Sequence, residues 1–356
     1  MKSAVKYLSK IYLYPMVLFA KHRDIDAAMN CVCECLENED VYTMFRIKPK
    51  KSTTVPAISG MCTDSGKLAI VLQGPIEKTN MTEESVVYYR KMYPDATIIV
   101  STWNDESEKL VNRLRNHGAV VLENVKPSIS GILNVNYQIA SSLAGIRKAK
   151  ELGAEFVAKT RTDQRICKPY AFVAFINLLN TYSVEGGTSL KNRIIVMPTY
   201  YGNMFTPYFM SDFFYFGRTD DIELLFDIDQ DFREPFTMPD CATRREYAYK
   251  MFPPEIYIMR HFLENKLAIK KDVSVNGYWD ALKKYFIAVD RNMVDLYTTK
   301  YDYSHKDHVS FSEYFKDDTE EKKKTMNFGF INWLNLYSGS LNYKTEYEKE
   351  ADVSML

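Results

Sequence analysis

The sequence predicts an α/β fold with a mostly parallel central sheet and helices on both of its faces. Three observations carry that expectation. Between residues 67 and 160, short apolar runs alternate with stretches of helical periodicity. The apolar runs are nearly continuous, the pattern of strands buried on both faces. Three of the runs end in polar clusters, the place where open sheets of this kind bind ligands.

Taken in order, Lys67 to Leu72 (KLAIVL) is the first expected strand, ending in Gln73-Gly74-Pro75. A helix follows over Glu83 to Met92. The second strand is Ala96 to Ser101, ending in Thr102-Trp103-Asn104-Asp105. A helix over residues 106–117 leads to a third strand, Ala119 to Glu123, and a longer helix spans 134–152 with Gly153 as its stop signal. The fourth strand, Glu155 to Thr160, runs into Arg161-Thr162-Asp163-Gln164-Arg165. Beyond it the pattern predicts a strand at Arg193 to Met197 and an aromatic strand at Tyr208 to Phe216. A helix at Asp220 to Phe226 and another beginning at Pro254-Glu255 follow. Before residue 60, a helical stretch over about 5–45 is joined to the rest by the linker KPKKSTTVPAISG. The expected organisation is a helical extension over 1–60, a main domain over 61–290 and a Tyr- and Lys-rich extension over 291–356.

Composition narrows the class of function. Lys plus Arg and Asp plus Glu balance at 46 each, which argues against a general nucleic-acid binder, since such proteins need surplus cations to displace phosphate counterions. Charged residues at 26% and hydrophobic ones at 46% exclude disorder as the main state. No stretch approaches the roughly 20 apolar residues that span a bilayer. The N-terminal apolar run is interrupted by Pro15 and followed by Lys21 and His22 with no cleavage site, so a cytoplasmic location with reduced thiols is expected. Cys31, Cys33 and Cys35 alternate, which is not the spacing of a zinc knuckle. Lys2, Lys6, Lys10 and Lys21 interleave with apolar residues as in interfacial helices, suggesting peripheral contact with the inner membrane face; packing onto the main domain is the simpler role.

The richest chemistry lies in KTRTDQR, residues 159–165, where a buried strand emerges into basic residues around one carboxylate. Asp163 is a candidate for donor or metal binding, with Lys159, Arg161 and Arg165 as charge partners for a diphosphate; a solvated salt-bridge cluster is the bland alternative. Gln73, Gly74 and Pro75 form the loop after the first strand, where Gly74 permits close backbone approach. No GxGxxG or GxxxxGK[ST] string follows it, against dinucleotide and P-loop binding. Trp103 and Asn104 close the second strand, and Asn136 and Gln138 open the long helix, either as capping amides or facing a donor. Asp212 is a carboxylate inside an aromatic run, costly unless solvated, paired or functional. Glu255 stands at a helix start, where the dipole stabilises negative charge and where a carboxylate could also serve as a general base.

With these residues in hand, the chain resembles the WavE lipopolysaccharide-synthesis family of GT-A-like glycosyltransferases. The carriers are IVLQGPI (70–76), YYRKMYPDATIIVSTWND (88–105), NVNYQIASSLAGIRKAKELGAEFVAKTRTDQRI (134–166), SDFFYFGRTDDIELLF (211–226) and, more weakly, PEIYIMRHFL (254–263). The resemblance implies a nucleotide-sugar donor at the strand ends and a lipopolysaccharide or capsular glycan, or glycolipid, as acceptor. Thr162-Asp163 stands where GT-A enzymes carry an Asp-x-Asp metal motif, but Arg161 occupies the first position. A divalent cation, Mn²⁺ or Mg²⁺, is therefore an open expectation with Asp163 as its ligand. Glu255 stands where many GT-A enzymes place the catalytic base and is preferred over Asp212. Two rivals remain: a catalytically silent glycan-binding or scaffold subunit, and a sugar-nucleotide nucleotidyltransferase, which should carry a Gly-rich basic loop that QGPIEKTN lacks.

Overall fold

The structure, a computed structural model, describes residues 11, 25–36, 67–198, 204–234, 243–269, 273–298 and 329–352. The chain divides into two compact units, residues 1–49 with 309–316, and residues 50–308 with 317–356. In the first unit a helix, α1 (Ile25–Leu36), carries Cys31 and Cys33, neither of them in a disulfide. The remainder of the expected 5–45 helix, the linker before residue 61 and the four N-terminal lysines lie outside the described residues.

The second unit is built on a seven-stranded sheet of order β3-β2-β1-β4-β7-β6-β8. Its strands are β1 (Leu68–Gln73), β2 (Thr97–Trp103), β3 (Val120–Asn124), β4 (Phe156–Arg161), β6 (Ile194–Val196), β7 (Tyr215–Arg218) and β8 (Phe286–Ala288). Among these strands only β7 runs against the others, pairing antiparallel with both β4 and β6. A separate two-stranded ribbon joins β5 (Gln164–Ile166) to β9 (Leu296–Thr298). The mostly parallel sheet with helices on both faces is the fold class that the alternation of apolar runs and helices predicted. Every residue of β1 is buried, which is why LAIVLQ reads as an unbroken apolar run up to its last position.

Helix α4 (Val135–Glu151) covers one face and approaches it closely at Gly145. A Cβ there would stand 2.4 Å from Val71 Cγ1 and 3.1 Å from Ser101 Cβ, so the helix sits as near as it does because that position has no side chain. The sheet register puts Val71, Lys159 and Tyr215 side by side on this same face, and Gln73 beside Arg161. Helix α6 (Thr219–Phe226) also packs here, against α4. The opposite face carries α2 (Met81–Met92) and α5 (Ala171–Thr181), whose Phe172 stacks on Phe216 of β7 at 5.7 Å and meets the Tyr93 ring at a tilt, 4.8 Å away. Helix α3 (Glu108–Asn116) follows β2 and packs against α2.

Two expectations are corrected here. The aromatic run Tyr208 to Phe216 is extended only from Tyr215 onward; before that the chain turns, with Tyr208 in the left-handed region at φ 63° and the Ser211 hydroxyl accepting from the Phe213 N–H at 3.1 Å. Its aromatic side chains are buried in the turn as they would be in a strand, so composition alone cannot separate the two. The boundary near residue 290 does not isolate a unit. Strand β9 pairs with β5, and helix α9 (Phe330–Ser338) packs on β8 and on α8 (Val275–Tyr285), next after α7 (Pro254–His261). Among the described residues no helix is long and apolar enough to cross a membrane.

Trp333 of α9 shows how firmly the C-terminal helix belongs to this core. It is fully buried, donates its indole N–H to the Leu282 carbonyl at 3.2 Å, and stacks on Tyr337 at 5.3 Å. Trp333→Ala should destabilise the protein by about 3–5 kcal/mol. Urea unfolding of the full chain checks this, and a change within experimental error would show that α9 adds nothing to the main core.

Candidate functional site

The site grows from the carboxyl end of β4. Residues two apart on a strand share a face, so Lys159 and Arg161 project on the α4 side, Lys159 out of water altogether and Arg161 for the most part. Lys159 is fully buried; its Nζ donates to the Asp212 carbonyl at 2.5 Å and lies 5.5 Å from the Phe226 ring. Burial pulls its pKa down to about 8, with the Asp212 carboxylate opposing the shift. Arg161 forks onto Asp163, Nε to Oδ1 at 3.0 Å and Nη2 to Oδ2 at 2.9 Å, and its Nη1 reaches Asp212 Oδ2 at 3.3 Å. Gln138, one turn into α4, also donates to Asp212 Oδ2. Desolvated cations are tolerable because carboxylates and a carbonyl meet them directly. The turn before β7 is what delivers Asp212 to this point.

Glu255 enters from the first turn of α7, after Pro253-Pro254. Burial, reinforced by the nearby Asp212 carboxylate, pushes its pKa well above the usual carboxylate range, while Arg161 and Lys159 oppose this. The cluster is not saturated internally. Asp212 Oδ1, Gln138 Oε1 and the Tyr215 hydroxyl are buried without a hydrogen-bond partner. Buried polar atoms left in that state mark where a ligand's polar groups can be met.

The loop after β1 is laced to the same strand end. Thr162 donates from its hydroxyl to the Pro75 carbonyl at 2.6 Å, and its N–H donates to the Gln73 carbonyl at 3.1 Å. Gly74 sits at φ 118°, a conformation few side chains tolerate, and a Cβ there would meet Thr162 Oγ1 at 3.2 Å. Gln73 itself is turned to α4, where its Oε1 accepts from the Ser141 hydroxyl at 2.9 Å. Thr82 of α2 completes the clasp, donating to the Thr162 carbonyl at 3.0 Å. Neither Thr162, in a polar loop, nor Thr82, in the first turn of a helix, carries a local sequence signal that marks it as a positioning residue.

The structure thus brings Gln138, Lys159, Arg161, Asp163, Asp212 and Glu255 together, with Gly74 and Pro75 on the adjoining loop. Four other candidates stand elsewhere. Asn136 is fully buried and its amide is spent on backbone: Nδ2 donates to Ile129 O at 3.0 Å and Asp231 O at 2.8 Å, and Oδ1 accepts from the Asp231 N–H at 2.6 Å. It fastens two loops. Arg165, on β5, lies against the rings of Tyr88 and Tyr297 at 5.1 and 5.4 Å and does not join the Lys159 side. Trp103 is buried edge-on against Tyr137 at 5.5 Å, whereas Asn104 is exposed, its N–H donating to the Asn124 carbonyl at 2.9 Å.

The donor set does not fit a divalent cation as it stands. Both oxygens of Asp163 are held by one guanidinium, and among the described residues no group of three or more His, Cys, Asp or Glu is arranged to hold a metal. A single carboxylate already neutralised by an arginine is a poor site for a hard ion, which takes several oxygen ligands.

Comparison with known proteins adds the following. The sequence profile of the WavE lipopolysaccharide synthesis family matches residues 68–353. No curated protein matches the chain. Among solved structures, a cytidylyltransferase from Leptospira borgpetersenii serovar Hardjo-bovis (strain JB197) is 12% identical, with a TM-score of 0.35, covering 82% of this chain and 98% of its own. A glycosyltransferase involved in the glycosylation of the major capsid of PBCV-1 is also 12% identical, with a TM-score of 0.31, covering 67% and 97%. Likenesses this distant add nothing to the reading of the site. The profile match spans most of the chain, and the chain belongs to the WavE lipopolysaccharide synthesis family.

The raised Glu255 pKa sets the sign of a pH dependence. Between about pH 4.5 and about pH 8 the folded protein holds a proton that the unfolded chain has released, so this residue's contribution to stability falls as pH rises through that window. Glu255→Gln should remove that slope. Urea unfolding of both proteins at pH 5 and pH 8 is expected to show the variant gaining on the parent at the higher pH; parallel losses would mean that Glu255 is ionised normally.

Proposed function

We propose that this member of the WavE lipopolysaccharide synthesis family is a glycosyltransferase that moves a sugar from a nucleotide-sugar donor to a hydroxyl of a glycan or glycolipid acceptor. One observation carries the reading: a buried cation, Lys159, a largely covered one, Arg161, and three carboxylates converge at the carboxyl edge of a parallel strand, beside a loop fixed for close backbone approach. Family membership favours the same reading independently.

In this mechanism an acceptor hydroxyl oxygen attacks the anomeric carbon as the bond from that carbon to the diphosphate oxygen breaks. The leaving nucleoside diphosphate takes the electron pair, and its growing charge is met by Arg161 with Lys159 behind it. Guanidinium–phosphate contacts are charge-assisted and directional, and preorganised charges act strongly where water is excluded. Asp163 works through Arg161, its fork setting the plane of the guanidinium. The acceptor proton passes to Glu255 in its ionised form, whose hold on a proton burial strengthens and whose power as a base rises with it. Asp212, held by Gln138 and Arg161, orients the cluster and keeps one oxygen for an acceptor hydroxyl. No step requires a metal, because Arg161 supplies positive charge where an Asp-x-Asp motif would bring a cation.

A panel of nucleotide sugars, assayed for hydrolysis and transfer with chelator and with added Mn²⁺, tests this. Turnover of at least one donor is expected in chelator. Arg161→Lys, which keeps the charge but loses the fork, should lower kcat/KM by about 10²-fold or more, and Asp163→Ala by a similar factor. Absence of turnover with every donor would favour the glycan-binding subunit, and wild-type rates in Arg161→Lys would remove Arg161 from the leaving-group site.

A further inference from the structure

The pair formed by Gln138 and Asp212 is tied together at one end and open at the other. Gln138 donates its amide N–H to Asp212 Oδ2, and Arg161 Nη1 donates to the same oxygen at 3.3 Å. That contact fixes which way the amide faces, because turning it over would set two oxygens against each other. The remaining atoms, Asp212 Oδ1 and Gln138 Oε1, therefore flank one hydrogen bond, each a single carbon away from it. Both are buried, and neither has a hydrogen-bond partner. Their places are fixed from behind: Gln138 belongs to α4, and Lys159 Nζ holds the Asp212 carbonyl at 2.5 Å.

A third unmet group, the Tyr215 hydroxyl, opens β7. Burial, with the Asp212 and Glu255 carboxylates near it, keeps this hydroxyl protonated, so it can donate as well as accept. Gln138, Arg161, Phe213 and Glu255 each keep part of their surface in contact with solvent, so the cluster is reached from that side. The two unmet atoms of the pair are oxygens, so whatever lies opposite them must donate. Phosphate and carboxylate oxygens cannot, and would face lone pairs. An ammonium group can, but Lys159 and Arg161 already bring two positive charges to Asp212. One hydroxyl satisfies one oxygen and leaves the other buried and unmet, which is costly. Two hydroxyls on neighbouring ring carbons stand side by side as the two oxygens do, and answer both.

We infer that the acceptor sugar is recognised through two adjacent free hydroxyls donating to Asp212 Oδ1 and Gln138 Oε1, which makes Gln138 a residue that sets acceptor specificity. The word acceptor rests on the transferase reading; the diol contact is measured by binding, without turnover. Saturation-transfer NMR titration of the full chain is the test, with the methyl glycosides of glucose, galactose and mannose, their monodeoxy analogues, glucuronate and glucosamine. At least one glycoside should bind, and removing either of two neighbouring hydroxyls should weaken it about tenfold or more. Gln138→Met, similar in size but without hydrogen-bonding groups, should cost the intact glycoside about tenfold and the analogue lacking the matching hydroxyl little. A residue serving only the fold would not show that coupling. Asp212→Asn keeps an oxygen for Gln138 and Arg161 and puts a nitrogen in place of Oδ1. It should weaken the intact glycoside by a similar factor, and serves where Gln138→Met does not fold. No glycoside binding, deoxy analogues that bind like their parents, tighter binding of glucuronate or glucosamine, or equal losses for both ligands in Gln138→Met would each overturn the inference. Hydrolysis of nucleotide sugars, followed alongside, separates the two readings. Hydrolysis without diol-dependent binding sinks this inference alone, whereas diol-dependent binding without hydrolysis sinks the transferase and leaves the contact standing.

Discussion

The structure depends on a single electrostatic constraint, the burial of Lys159 and the near-burial of Arg161 on the same face at the end of β4. Removing a cation from water costs several kcal/mol, and the cost is recovered only where acceptors sit at hydrogen-bond distance. The surrounding elements supply those acceptors. Asp163 answers Arg161 from two residues away, Asp212 comes from the turn before β7, and Gln138 comes from α4. Each partner fixes an element that packing alone would leave free to slide. The departure of the 204–214 segment from an extended strand is part of the same requirement, since a continuous strand would carry Asp212 past Arg161.

A sheet edge that holds charge in this way also needs its loops held. Thr162 is the clasp, binding the Pro75 carbonyl with its hydroxyl and the Gln73 carbonyl with its N–H, so that the β1 and β4 loops move as one. The absence of a side chain at Gly145 brings α4 close enough for Gln138 to reach Asp212 and for Ser141 to reach Gln73. Asn136 has the complementary task, tying the 129–132 loop to Asp231 and, through Asp231, to Arg233. Helix α7 carries Glu255 in its first turn and Arg260 and His261 in its last.

Much of the site was legible before any coordinates. Lys159, Arg161, Asp163, Asp212 and Glu255 stand out because charge at a buried strand end, or inside an aromatic run, demands an explanation. Arg165 and Asn136 stand out by the same kind of signal and do something else. Arg165 alternates with its neighbours on a different strand and stacks against tyrosines, and Asn136 spends its amide on backbone. Local sequence cannot distinguish these cases, since a polar residue near a strand end looks the same whether it faces a ligand or a loop. The cleft beside α7, lined by residues 231–233, 249–252 and 257–261, left almost no trace: it is assembled from three stretches of ordinary composition, and His261 alone is indistinguishable from a structural histidine.

By itself the sequence determined the class of fold and the edge of the sheet at which chemistry is expected, because strands buried on both faces must be apolar throughout and helices must repeat every 3.6 residues. Those are short-range properties and survive in one dimension. The tertiary structure alone decided that β7 runs antiparallel, that the C-terminal helix joins the main core, and which carboxylate meets which cation. The Arg161–Asp212 contact joins residues 51 apart, and Thr298 donates to the Asp163 carbonyl across 135. Pairings of that range are settled by shape and by the cost of leaving a buried charge unanswered, and no periodicity in the chain records them.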